Sequence, residues 1–63
     1  MTKIEHLFVK AYAATGNARE SAKLAGFTGT STALSTRGHR LLRREDIREA
    51  ISQKISKLKG KIQ

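Results

Sequence analysis

Gly16-Asn17-Ala18-Arg19-Glu20-Ser21-Ala22-Lys23-Leu24-Ala25-Gly26-Phe27-Thr28-Gly29-Thr30-Ser31 is the stretch whose reading decides the fold. Asn17 is a strong N-cap residue and Glu20 follows three places on, a pairing that ties off the free amides of a helix start. Ala18, Ala22, Leu24 and Ala25 supply the apolar positions of a short helix over residues 18–25. Gly26 stops it, because glycine takes left-handed backbone at little steric cost. The small side chains predict close approach to a neighbouring helix rather than a bulky share of the core. Phe27 through Ser31 reads as a turn with Phe27 tucked inward, and Thr30 or Ser31 caps the helix that follows.

Upstream, Thr2-Lys3-Ile4-Glu5 has the capping-box pattern. Ile4, Leu7, Phe8, Ala11 and Tyr12 then keep one-face helical spacing up to the stop at Gly16, which predicts a helix over residues 3–14. Downstream, a third helix is expected from about Ser31 to Leu42. Leu34, Gly38 and Leu41 share one side of it, with Leu42 flanking, and Thr32, Ser35, Thr36, His39, Arg40 and Arg43 fall on the other. A glycine inside a helix costs about 1 kcal/mol relative to alanine, so Gly38 predicts a close backbone contact. Arg43-Arg44 breaks the pattern.

A fourth helix starts near Glu45, with Glu45, Asp46 and Glu49 crowding the end where the dipole favours negative charge. Ile47, Ala50, Ile51, Ile55 and Leu58 form its apolar stripe, Ile62 extends it, and Gly60 is expected to fray the last turn. Lys54, Lys57, Lys59 and Lys61 suit its C-terminal end. The expected core is Ile4, Leu7, Phe8, Tyr12, Leu24, Phe27, Leu34, Leu41, Ile47 and Ile51.

Composition narrows the function. Sixty-three residues make one small domain, here an all-α four-helix domain with a helix-turn-helix. With no cysteine, neither disulfides nor a thiolate zinc site can staple it. Two histidines and one aspartate are a poor stock for a catalytic pocket, so the expectation is no enzyme, no cofactor and no metal. The longest apolar run is Ala11 to Ala14, too short to span a membrane. No secretory signal core is present, and a cytosolic or virus-associated soluble protein is the default expectation.

The formal charge is +8, unevenly spread. Residues 1–30 carry four basic side chains against two acidic ones; residues 31–63 carry nine against three. Arg37, Arg40, Arg43, Arg44 and Arg48 fall within one twelve-residue stretch. Arginine forks match phosphate oxygens and guanine edges, so this is the footprint of a nucleic-acid binder. A solvated basic face is the plain alternative for a charge run alone. The layout tips the balance: two short helices joined by a glycine-containing turn, after a longer amphipathic one, make a helix-turn-helix whose second helix enters the major groove. Residues 45–63 are basic and amphipathic but lack Trp or Phe, which argues against a membrane surface. Phe8, Tyr12 and Phe27 all fall on expected core positions, which argues for double-stranded DNA over single-stranded or RNA partners.

The pieces also resemble a known family. Phe8-Val9-Lys10-Ala11-Tyr12, Gly16-Asn17-Ala18 and Ser21-Ala22-Lys23-Leu24-Ala25-Gly26-Phe27 are similar, in order and spacing, to the N-terminal domain of the terminase small subunit of tailed bacteriophages. Gly38-His39-Arg40-Leu41-Leu42 and Ile47-Arg48-Glu49-Ala50-Ile51 continue the resemblance to about residue 51. It implies a non-enzymatic packaging factor that recognises viral DNA at the packaging start site and brings in the large terminase subunit, which holds the ATPase and nuclease. It further implies a viral protein of the host cytoplasm, a homo-oligomer in its full-length form with residues 52–63 as the start of a linker or oligomerisation helix, and that Thr28 through Arg43 face DNA. One departure stands out: the family commonly has an Asn-Pro cap before the last helix, where this chain has Arg44-Glu45.

The candidate DNA contacts are Asn17, Arg19, Thr30, Thr32, Ser35, Thr36, Arg37, His39, Arg40, Arg43 and Arg44. Thr32, Ser35 and Thr36 offer hydroxyls to bases or phosphates, against the reading of ordinary polar surface. Arg40 and Arg43 need only reach phosphate, which tolerates loose placement. Arg37 and Arg44 have a structural alternative, pairing with Glu45, Asp46 or Glu49. His39 is an ordinary surface histidine or a phosphate contact when protonated. Asn17 caps its helix, whose start also offers amides to phosphate, with Arg19 beside it. His6 has no metal-spaced partner and is given no role. Other helix-turn-helix duties, in a repressor or a recombinase, and a protein-docking role for residues 45–63 are the alternatives.

Overall fold

A computed structural model describes residues 1–60 as four helices: α1 (Lys3–Thr15), α2 (Ala18–Ala25), α3 (Ser31–Arg43) and α4 (Glu45–Gly60). The expected starts hold at every helix, and α1 and α3 each run one residue further than the sequence reading. The stripe positions Leu58 and Ile62, and the side chains of Lys59 and Lys61, lie outside what is described; α4 is continuous through Ser52 to Gly60.

Local chemistry fixes the first three starts. Thr2 accepts the Glu5 amide at 3.2 Å, while the Glu5 carboxylate accepts the Thr2 amide at 3.0 Å, closing the capping box. Asn17 accepts the Glu20 amide at 3.0 Å and Thr30, not Ser31, accepts the Ala33 amide at 3.2 Å. Gly16 and Gly26 end α1 and α2 in left-handed backbone, with φ of 68° and 111°. At Gly26 the closure is complete: Gly26 donates to the Lys23 carbonyl and Phe27 to that of Ala22, both at 3.1 Å. This double bond pattern turns the chain back so that Phe27 lies against the core, half-buried.

α2 packs on both α1 and α3, and α4 returns to α1. Phe8, Val9, Ala22, Ala25, Leu34, Leu41, Ile47 and Ile51 are buried, with Tyr12, Phe27, Leu42 and Ala50 packed around them. Phe8 and Tyr12 stack with ring centres 6.0 Å apart. Three expected core residues are not in it: Ile4 and Leu7 are each 40 % exposed and Leu24 is 59 % exposed. The buried face of α1 is rotated toward Val9, because that helix must meet α2 and α4 together. On α2 the buried face is Ser21, Ala22 and Ala25, and Leu24 lies off it. Ser21 is fully buried; its hydroxyl donates to the Asn17 carbonyl at 2.6 Å and meets the Thr15 hydroxyl at 3.0 Å. That satisfies the one buried polar side chain among the described residues and locks the α1–α2 corner.

Gly38 sets the α2–α3 distance. A Cβ there would stand 2.6 Å from the Ala18 carbonyl oxygen and 3.0 Å from the Ala18 methyl. An added methyl gains ~1 kcal/mol of helix propensity, but overpacking against backbone typically costs ~1–3 kcal/mol. Gly38→Ala is therefore expected to lower the melting temperature, by about 4–8 °C for each net kcal/mol in so small a domain. Thermal denaturation followed by circular dichroism measures this. An unchanged or higher Tm would mean that the two helices separate without cost.

Candidate nucleic-acid interface

The faces of α3 are divided by burial. Leu34, Gly38 and Leu41 point into the protein, and Thr32, Thr36, Arg37, His39, Arg40 and Arg43 are exposed. Ser35, expected on the outer face, is half-buried at its flank beside Leu42. α3 contains no acidic residue. Among the described residues the ion pairs all belong to Arg44, and Arg37, Arg40 and Arg43 form none, although Arg43 borders a hollow shared with Glu45, Arg48 and Glu49. Arg40 and Arg43 also stand in the last turn of α3, where the helix dipole favours cations.

Several candidates have structural partners. Thr36 donates its hydroxyl proton to the Thr32 carbonyl at 2.9 Å, leaving its oxygen as an acceptor toward solvent. The Thr30 oxygen is engaged as the cap, and its hydroxyl proton is left to donate. Asn17 caps through Oδ1, which leaves its side-chain amide nitrogen out of the cap on an exposed residue. Arg19 donates to the Ser31 hydroxyl at 3.0 Å, fastening the start of α2 to the start of α3. The Arg37 guanidinium lies 5.3 Å from the centre of the Phe27 ring, a cation–π contact rather than the acidic pairing considered for it. Phe27 and Leu41 floor a shallow hollow of about 450 Å³ beside α3, with Thr36, Arg37 and Arg40 around it.

Arg44 stands apart from the group. It occupies the single residue between α3 and α4, in extended backbone, and its carbonyl accepts the Arg48 amide at 3.1 Å. Its guanidinium grips Asp46 through two bonds, at 2.8 and 3.2 Å, and reaches Glu5 of α1 as well. A bidentate ion pair thus occupies the place where the family pattern has a capping residue. Asp46 is among the partners expected for Arg44 from the sequence; Glu5, thirty-nine positions away, is not. Only the fold brings that pair together, and nothing in local spacing signals it. Arg44 faces two carboxylates and is the least available of the arginines to an outside phosphate.

The electrostatic consequences follow from these bonds. The Thr2 amide and then Arg44 hold the Glu5 carboxyl below the usual carboxylate range. Arg44 does the same for Asp46, and the two acids in turn raise the Arg44 guanidinium. Among the described residues no three His, Cys, Asp or Glu side chains come together as metal ligands, and no helix is long and apolar enough to cross a membrane.

A compact all-α domain with a short helix, a glycine turn and an arginine-bearing helix is compatible with the helix-turn-helix class. The whole chain, residues 1–63, matches the family described as terminase small subunit, and it belongs to that family. Membership supports a role in phage DNA packaging. Among curated proteins and among solved structures nothing matches the chain.

Because the Glu5 carboxyl is depressed on folding, its contribution is present above the unfolded carboxyl pKa and lost as pH falls through the folded one. Glu5→Gln should therefore be less stable than the parent at neutral pH, with the gap closing below the ordinary carboxylate range. Urea denaturation across acid pH measures this; a gap that stays constant would remove the charge from the explanation.

Proposed function

We propose that the chain is the DNA-reading unit of a phage packaging machine, with α3 seated in the major groove of the duplex. The observation that carries this is the outer face of α3: Thr32, Thr36, Arg40 and Arg43 exposed together, with arginines that form no ion pair among the described residues. Arginine on phosphate supplies sequence-independent attraction, while hydroxyls and a guanidinium reaching base edges supply selectivity. The start of α2 offers its amides and Asn17 to a flanking phosphate. Arg19 acts mainly by holding Ser31, and so aligns the two helices. Arg37 stacks on Phe27 and presents its outer edge to the backbone. Arg44 serves the fold through Glu5 and Asp46, and is the first candidate to drop from the contact set.

In this reading the protein is non-enzymatic and acts in the host cytoplasm. It marks the packaging start site on viral DNA and brings in the large terminase subunit for the chemistry, as a homo-oligomer in its full-length form. One domain making a few phosphate contacts binds weakly, on the order of 10⁻⁴–10⁻⁶ M, and multiple copies raise the avidity.

An amide NMR titration with a duplex of ~20 base pairs, at two salt concentrations, tests this. Shifts should concentrate in Thr28–Arg43 and around Asn17 and weaken with salt. Arg40→Ala and Arg43→Ala should each weaken binding across all sequences and lower the salt slope by about one. Arg44→Ala should mainly lower stability. If neither α3 variant alters affinity, α3 is not the DNA-facing helix.

A further inference from the structure

The return of α4 onto α1 leaves an open groove of about 850 Å³, lined wholly by the first ten residues and by residues 50–57. Neither α2 nor α3 contributes to it. Leu7, which the core leaves 40 % exposed, lies in this groove with Val9 and Ala50, giving it an apolar floor. Lys3, Lys10, Lys54 and Lys57 are exposed around it. No Asp or Glu lines it, and among the described residues none of these lysines has an acidic partner. An apolar trough between two helices, ringed by unpaired cations, has a definite complement.

We propose that this groove docks an acidic amphipathic helix of a partner protein. Its apolar ridge would lie on Leu7, Val9 and Ala50, and carboxylates on its flanks would meet the lysines, as ridges of one helix seat between those of others. Charge decides the occupant. A second copy of a chain with net charge +8 brings like charge to the rim, and this chain's own last residues add Lys59 and Lys61. The trough is concave and lacks Trp or Phe, so a flat bilayer meets it poorly. The site lies on helices other than α3 and does not rest on the DNA-binding reading.

The test is an amide NMR titration of the full chain with three probes. The first is a synthetic helix of about three to four turns with leucine on one face and glutamate on the others. The second has lysine in place of every glutamate, and the third is a duplex of ~20 base pairs. Saturable shifts at Leu7, Lys10, Ala50 and Lys54 with the acidic helix alone are the expected result. The double variant Lys10→Glu/Lys54→Glu should bind it at least about tenfold more weakly and lose its salt dependence. Both lysines are exposed, and a melting curve confirms that the variant folds; Leu7→Ser, also exposed, should weaken binding while leaving the salt dependence intact. Equal binding of the lysine peptide, or no saturation by the acidic one, overturns the proposal. So does movement of the same four amides with duplex, which would make the groove a nucleic-acid surface.

Discussion

The backbone of α3 comes within reach of α2 at one point, where Gly38 lies over the Ala18 carbonyl with no room for a methyl group between them. This approach fixes how far α3 stands from the protein, and with it the height of every side chain on its outer face. The small residues of α2 (Ala18, Ser21, Ala22 and Ala25) make it possible, since large side chains there would hold the two helices apart. The Arg19–Ser31 bond at the helix starts and the Gly26–Phe27 closure at the turn then remove the remaining freedom. What faces outward from α3 is therefore held by contacts made on its other side.

Much of this was legible in the chain. Capping residues are local chemistry, so Thr2, Asn17 and the glycine stops place the helices within a residue. Gly38 is legible because a helix interior does not hold a glycine without reason. Faces are harder. Ile4, Leu7 and Leu24 are large and apolar and so read as core, yet orientation follows from what each helix must touch. α1 serves two neighbours, which turns it toward Val9, and eight-residue α2 is squeezed between two helices by its smallest side chains. Ser21, polar in the sequence, is buried because Asn17 and Thr15 satisfy it.

The candidate interface divides along the same line. Exposure of Thr32, Thr36, Arg40 and Arg43 follows from helical periodicity and was readable. The half-burial of Ser35, the Phe27 ring beneath Arg37 and the Glu5 partner of Arg44 are tertiary facts. An arginine cluster in sequence is therefore an upper bound on the free positive charge: of the arginines from 37 to 44, one is spent on joining α1 to α4.

The connections between helices are very short: two residues between α1 and α2, five between α2 and α3, and one between α3 and α4. Most packing is between elements adjacent in the chain, and the α1–α4 contact sealed by Glu5 and Arg44 is the distant exception. Such a topology consists of small loops and one long closure, and the entropy of closing a loop grows with its length. Helical domains of this kind fold on the order of microseconds to milliseconds. Bringing α4 back to α1 carries the largest closure entropy of the helix contacts, and the burial of Ile47 and Ile51 in the shared core is what offsets it.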